Sequence, residues 1–380
     1  MRRRAPSSGA LGDARARNDA RPSAMASTIF SGMSCCVPRA EALFRRLPAD
    51  SVFLSLTAHC NLRCAGCRYG RDFMRGSVFP RELLRPLLSD AAEFGYRKVR
   101  LYGGEPLLYP HLEEATATCA QYGLTPWLTT NGYLLREKIE GLYAAGLRRI
   151  SFGYYGHAAA FDAYVGERGA YARLDEGIAF ARDRFGDDLH LKVEFLLMQP
   201  TCSRQALDEA VAFAERHAAP ITINLVHYSL PYFKDAAGAS LQFTEADRDA
   251  LEDFSGYLLE AARRYPKLIN RSVEGLASIP DWLIRREDMR VPCDRDSMLW
   301  VGPDASVQLC YVTFPLGSLR THRLRELLHT RAHRGAVRAC RRLQCPNCHC
   351  GFSTRIDKHG PSRRHYRRLV QRRYAPPAMQ

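Results

Sequence analysis

The chain has 380 residues, 46% hydrophobic and 25% charged, which suits a globular protein of two domains or one large barrel with an appendage. No run of about 18 apolar residues occurs, so no segment reads as a membrane span, and the Arg-rich N-terminus lacks the apolar core and cleavage site of a secretory signal. The net charge of +15 is carried by the ends: residues 1–30 hold six Arg against two Asp, and residues 320–380 hold sixteen Lys or Arg against two acids, which leaves the body near neutral.

Residues 1–28 are mostly Arg, Ala, Ser and Gly and read as disordered, and 37–48 as a short helix, so 1–48 is an N-terminal extension. From residue 50 strands and helices alternate. Strands are predicted at 51–57, 98–102, 126–130, 147–155, 189–198 and 220–228, where apolar residues recur at period two or in short runs. Helices are predicted at 80–95, 111–123, 135–146, 172–186 and 203–218, where the period is 3.6 and Gly often follows the last turn. Such alternation implies a parallel sheet with helices outside, and six steps give a partial (βα)6 TIM-like barrel over 49–230. In such barrels chemistry sits at the C-terminal ends of the strands. Residues 231–290 read as a helical linker, with a helix over 243–265 starting at Thr244. Beyond 291 come a β-hairpin turning at Pro303-Asp304, a helix over about 324–340, a Cys-rich loop, and a basic tail over 356–380.

Nine of the thirteen Cys fall in two groups: Cys60, Cys64 and Cys67, then Cys293, Cys310, Cys340, Cys345, Cys348 and Cys350. Without a secretory signal the expected compartment is the reducing cytoplasm, where clustered Cys points to metal rather than disulfides. Cys35, Cys36, Cys119 and Cys202 lack a partner pattern and read as small apolar residues. The first group stands as C-x3-C-x2-C directly after the first strand. Three thiolates on one loop leave one iron of a [4Fe–4S] cube without a protein ligand, and an open position is what a metal needs to bind a reactant directly. Zinc is the alternative, but closed zinc sites pair one C-x2-C with a second, and none lies near this loop.

This motif resembles that of the radical S-adenosylmethionine enzymes. The resemblance implies that Cys60, Cys64 and Cys67 hold the catalytic [4Fe–4S] cluster. A second element agrees: Gly103, Gly104, Glu105 and Pro106, at the end of the second strand, match the family's GGEP, whose backbone and Glu receive the methionine amino group. By the same resemblance Thr130 and Asn131 lie near the ribose or carboxylate of S-adenosylmethionine, Ser151 lines the cofactor site, and Leu225 or Val226 gives an apolar contact to adenine. Asn224, His227 and Tyr228 are expected to face the barrel mouth. Two departures stand out. Gly66 precedes the third Cys where the family usually has an aromatic residue that packs on adenine, with Tyr69 as a substitute, and Tyr154-Tyr155 follow Ser151 where relatives have an acidic residue.

The C-terminal cysteines resemble the Twitch domain, the short form of the SPASM domain, which implies a β-hairpin/helix iron–sulfur domain over 291–355. Cys293, Cys310, Cys345 and Cys348 match the order of ligands to one auxiliary [4Fe–4S] cluster, with Cys340 and Cys350 left over; a zinc knuckle of the same four Cys is the alternative. What the family implies is reductive cleavage of S-adenosylmethionine to a 5′-deoxyadenosyl radical, which takes hydrogen from a substrate. The cofactor carries the hard chemistry and the protein supplies position. Expected partners are an electron donor such as flavodoxin or ferredoxin and a small biosynthetic metabolite, which is oxidised, epimerised or rearranged. Peptide maturation is the alternative, disfavoured because only 50 residues precede the first strand. No membrane or nucleic-acid partner is expected: only six of the 55 basic residues are Lys, a general preference for Arg, and no basic motif interleaved with aromatics is present. A zinc-binding nucleic-acid protein would leave GGEP and TTNG at successive strand ends unexplained.

Overall fold

The computed structural model describes residues 49–230, 233, 240–310 and 313–374. The N-terminal extension, with Cys35 and Cys36, lies outside the described residues. Six parallel strands follow in chain order: β1 (Ser51–Thr57), β2 (Lys98–Gly103), β3 (Thr125–Thr130), β4 (Arg149–Tyr154), β5 (His190–Leu197) and β6 (Ile221–Leu225). Between them run α1 (Leu84–Glu93), α2 (Leu112–Gln121), α3 (Leu135–Ala144), α4 (Ala159–Val165), α5 (Ala170–Phe185) and α6 (Arg204–Arg216). The short α4 was not predicted; its seven residues are too few for a clear period.

Strand alternation sorts the side chains onto two faces. Val52, Leu54, Leu56, Val99, Leu101 and Leu128 are at 0% exposure against the helices. Their neighbours Phe53, Arg100, Tyr102, Trp127 and Thr129 point to the opposite, concave face and are only half-buried. Barrel interiors are normally filled by layers of branched apolar side chains; here the inner face carries polar and aromatic groups that remain partly accessible.

The C-terminal region extends this same sheet. After α7 (Arg248–Arg264), α8 (Val273–Ala277) and α9 (Ile279–Arg285) come β7 (Met298–Val301), β8 (Ser306–Cys310) and β9 (Thr313–Ser318). β7 pairs in parallel with β1, Ser51 opposite Met298, and β8 and β9 add antiparallel strands, so the expected hairpin is the far edge of one nine-stranded sheet. The helix expected over 324–340 is two helices, α10 (Leu324–Leu327) and α11 (Arg331–Arg341). The break falls at His329, whose φ is +57°, and Thr330 caps the second helix by accepting from the His333 amide at 3.2 Å.

The segment expected as a basic tail forms α12 (Phe352–Lys358) and α13 (Gly360–Arg373). Tyr366 is 2% exposed and donates to Asp281 at 2.7 Å. Arg367 and Arg363 pair with the buried Glu274 at 3.1 and 3.7 Å, and Arg373 pairs with Glu252. These acids come from α7, α8 and α9, about a hundred residues upstream, which is why a local reading saw only charge. No helix among the described residues is long and apolar enough to cross a membrane.

Candidate cluster and cofactor site

β1 runs into a loop, residues 58–67, that carries the first three cysteines. The loop is pinned on both sides: the Arg63 and Ala65 amides donate to the carbonyls of Val165 and Tyr164 at 2.8 Å each, and Arg71 donates to the Cys64 carbonyl at 2.9 Å. Among the described residues no set of three His, Cys, Asp or Glu side chains is drawn into a finished metal site. The three cysteines nonetheless lie close enough for their charges to act on one another. Burial raises all three thiols, Cys60 to about 11, and for Cys64 the nearby Cys67 and Cys60 add to it. Such a set is stable when a metal takes the thiolates, so the donors fit an iron–sulfur cluster.

The end of β2 packs against this loop. The Gly104 amide donates to the Thr57 carbonyl at 2.7 Å and the Glu105 amide to that of His59 at 2.8 Å. A Cβ at Gly104 would stand 2.4 Å from the His59 carbonyl oxygen and 2.6 Å from that of Ala58, so only glycine lets the two loops approach. A register shift between Ser55 and Thr57 brings Gly103 opposite Thr57. Pro106 opens the short turn that follows.

Glu105 is at 0% exposure. Its Oε1 accepts from the Leu107 amide at 2.9 Å and the Thr130 hydroxyl at 2.7 Å, and its Oε2 from the Asn131 amide at 2.8 Å. A carboxylate has about four lone-pair sites, so one on Oε2 remains. Burial pushes its pKa up to about 7, against the lowering effect of these bonds. Asn131 continues the chain of contacts: its Nδ2 donates to Asn61 at 2.9 Å and lies 3.9 Å from the Cys60 sulfur. Cys60, Cys64, Cys67, Gly103, Gly104, Glu105, Pro106, Thr130 and Asn131 therefore meet at the C-terminal ends of β1, β2 and β3.

Ser151 and Leu225 lie apart. Ser151 is at 0% exposure, bonded to the Trp127 indole at 3.2 Å and the Thr129 hydroxyl at 3.0 Å on the concave face. Leu225 is 2% exposed and shares the parity of Ile221 and Ile223, against the helices. The concave residue beside it is Asn224, which donates to Glu194 at 2.5 Å.

Several neighbours were not legible. Gly66, with φ of +76°, is closely approached: a Cβ there would stand 2.9 Å from Leu241 and 3.0 Å from the ring of Phe233, a residue 167 positions away. Tyr69, the expected substitute, is 7% exposed and bonded to Ser55 at 2.6 Å. Tyr155 turns back across Gly153, whose Cβ would meet its hydroxyl at 2.0 Å, and its ring packs on Tyr164 at 4.5 Å. Cys60, Cys64, Cys67 and Glu105 add to the burial that raises the Tyr155 phenol, which locates it at this pocket.

The second cysteine group is spread over the loop before β7 (Cys293), the end of β8 (Cys310), α11 (Cys340) and the loop after α11 (Cys345, Cys348 and Cys350). Cys340, unassigned from sequence, is 2% exposed and hydrogen-bonds Cys293; the bond pulls the Cys293 thiol down and pushes that of Cys340 up, with Cys310 adding to the rise. Cys345 has Cys348 and Cys293 nearby, and Cys348 contacts Cys350. Cys350 is 3.4 Å from His227, whose ring packs on His349 at 4.2 Å; Tyr228 packs on His349 at 5.3 Å. His227 and Tyr228 thus face this cysteine loop. Cys119 is at 0% exposure in α2, as expected of an apolar filler.

Residues 54–214 match the Radical SAM superfamily. GTP 3′,8-cyclase of Mycolicibacterium smegmatis is 39% identical over 140 residues, 35% of this chain and 39% of that protein. GTP 3′,8-cyclase of Microcystis aeruginosa is 40% identical over 155 residues, 38% of this chain and 47% of that protein. The chain thus spans less than half the length of these relatives. Native anSMEcpe with bound AdoMet and Cp18Cys peptide shares the fold with a TM-score of 0.58 at 13% identity, over 86% of this chain and 98% of that one. Streptococcus suis SuiB bound to S-adenosylmethionine does so with a TM-score of 0.60 at 14% identity, over 79% of this chain and 70% of that one. The segment that matches the Radical SAM superfamily, residues 54–214, is the one that carries the Cys60–Cys67 loop and the Glu105 brace.

Proposed function

We propose that the protein cleaves S-adenosylmethionine reductively and uses the product to take hydrogen from a small biosynthetic metabolite, which is oxidised, epimerised or rearranged. The observation that carries this reading is the convergence of Cys60, Cys64 and Cys67 with Glu105 and Asn131 at three adjacent strand ends. Cys60, Cys64 and Cys67 would hold a [4Fe–4S] cluster, which when bound would supply the single electron that the cleavage needs. The residues around it hold and orient. The free lone pair of the buried Glu105 suits the ammonium of the methionine moiety, and a cation there favours the ionised carboxylate. Asn131 fixes the Cys60 side of the loop, and the hydrogen bond to Thr130 holds β3 against β2.

A second, auxiliary cluster belongs to the same proposal. Arg355 is 1% exposed and, among the described residues, donates only to neutral groups: the carbonyls of Val291, Pro292 and Cys348, and the Asn347 side chain. A buried guanidinium with no carboxylate is costly, and Arg355 favours the thiolates of Cys293, Cys345 and Cys348. An anionic thiolate-ligated cluster at Cys293, Cys310, Cys345 and Cys348, with Cys340 beside them, balances that charge. The GTP 3′,8-cyclase relatives favour a small substrate over a peptide. Flavodoxin or ferredoxin is the class of reductant, and the cytoplasm the compartment.

The test is formation of 5′-deoxyadenosine from S-adenosylmethionine by anaerobically reconstituted protein with dithionite. Wild type is expected to form it and Cys64→Ala to form none; equal yields from both would remove the assignment.

A further inference from the structure

α11 divides its residues sharply between two faces. His333, Ala336, Val337 and Cys340 are buried, and the last three pack with Leu309 of β8 and against Cys293. On a period of 3.6 residues Arg331, Arg338 and Arg342, which caps the helix, fall on the opposite side, and all three are exposed. Nothing nearby in sequence offsets them: residues 327–356 hold six Arg and no Asp or Glu. Arg341, at the flank of this face, pairs with Asp296 at 2.6 Å, but among the described residues no acid pairs with Arg331, Arg338 or Arg342.

This arrangement works against the helix. Arg334, Arg338 and Arg342 stand four residues apart, where like charges repel. The helix dipole accounts for Arg338 and Arg342 near the C-terminal end, but Arg331 lies in the first turn, where a cation is disfavoured. Other helical arginines of this chain meet acids, as Arg173, Arg184 and Arg204 do. α13 carries a second exposed stripe, Arg364, Arg368 and Arg372, but it packs on α7, α8 and α9 and bears no cysteine. A helix is about 10–12 Å across with its side chains. The outer arginines of α11 therefore lie roughly one helix diameter from Cys340, and they cover the outside of the second cysteine group.

We infer that the outer face of α11 is the docking site of an acidic one-electron carrier protein, seated by Arg331, Arg338 and Arg342 over the second cysteine group. The carrier's redox character rests on the proposed function; the charge match does not depend on iron. Opposite charge steers such a partner and fixes its orientation, and the cysteines behind the helix give an electron carrier a reason to sit there. Nucleic acid fits less well, because the outer side of α11 has no aromatic residue on which a base could stack.

The experiment is calorimetric titration of the full-length reconstituted protein, at low salt, with an acidic flavodoxin, with a plant-type ferredoxin and with a short single-stranded RNA. Saturable binding of at least one carrier is expected, weaker as salt rises. It should fall about tenfold in Arg331→Gln/Arg338→Gln/Arg342→Gln, the effect of three exposed charge pairs, and about twofold in Arg331→Gln alone. Gln is nearly as good a helix former as Arg, so the triple variant should keep the wild-type circular dichroism spectrum. Arg364→Gln/Arg368→Gln/Arg372→Gln removes the same charge from α13 and should bind as wild type does. The docking site is overturned if neither carrier binds, if the two triple variants weaken binding equally, or if the α11 face binds the RNA more tightly than either carrier. The two readings fail separately. Protein that forms 5′-deoxyadenosine with dithionite, which needs no carrier, but lacks α11-dependent binding retains the radical assignment; α11-dependent binding by protein without iron retains the docking face alone.

Discussion

At the scale of single residues, the site is organised by two side chains that are not cluster ligands. Asn131 joins the ends of β3 and β1 through Asn61 and the Cys60 sulfur. Asn131→Ala removes both contacts, and we expect S-adenosylmethionine to bind about tenfold more weakly, the effect of losing one or two hydrogen bonds, with iron content falling less; equilibrium dialysis beside iron analysis separates the two. Glu105 gives a pH signature. Its pKa is raised from 4.5 to about 7 in the folded chain, mainly by burial. A raised carboxyl contributes stability that is complete below its unfolded value and is lost as pH climbs through the folded one, here between 4.5 and about 7, and amounts to roughly 3 kcal/mol. The cofactor-free protein should therefore lose melting temperature across that window, and Glu105→Gln should flatten the loss. Cofactor binding should run the other way, tightening as pH rises through about 7. These roles were half-legible. The residue types at the strand ends were readable from the sequence, but that Glu105 spends three of its acceptor sites on the protein itself follows only from how closely β2 and β3 lie.

At the scale of elements, the alternation of strand and helix up to β6 was readable because each unit buries one apolar stripe and keeps its own period. Leu225 shows the limit of that reading. A strand's period of two places a residue on one of two faces, but the sequence ITINL does not say which face is concave until its neighbours in β5 are known. The C-terminal region was harder for the opposite reason. α13 is so rich in Arg that it resembles a solvated tail, yet Tyr366, Arg367 and Arg373 find partners on α7, α8 and α9. Arg355, at the middle of α12, ties this helical layer to the cysteine loop. Arg355→Met keeps the volume but leaves three buried carbonyls without a donor, and we expect it to cost about 2–4 kcal/mol, seen as a fall in denaturation midpoint and as faster amide exchange over residues 345–358 than over β1–β6. A uniform rise in exchange across the sheet would show that Arg355 holds the whole fold rather than this layer.

At the scale of the molecule, one sheet joins both cysteine groups. β7 lies directly beside β1, so the strand that leads into the Cys60 loop is hydrogen-bonded to the strand that follows Cys293. The two groups belong to one continuous scaffold with a polar, accessible concave face, a relation the separate motifs did not disclose because parallel pairing across 240 residues leaves no local signal. The central claim is that Cys60, Cys64 and Cys67 hold an iron–sulfur cluster which S-adenosylmethionine meets. The most direct measurement is iron and sulfide content with EPR of anaerobically reconstituted protein, wild type beside a Cys60→Ala/Cys64→Ala/Cys67→Ala variant. The account expects about eight irons in the wild type and about four in the variant, the difference of one [4Fe–4S] cluster, with an EPR signal that S-adenosylmethionine alters only in the wild type. Equal iron in both proteins, or a colourless wild type that carries zinc, would contradict it.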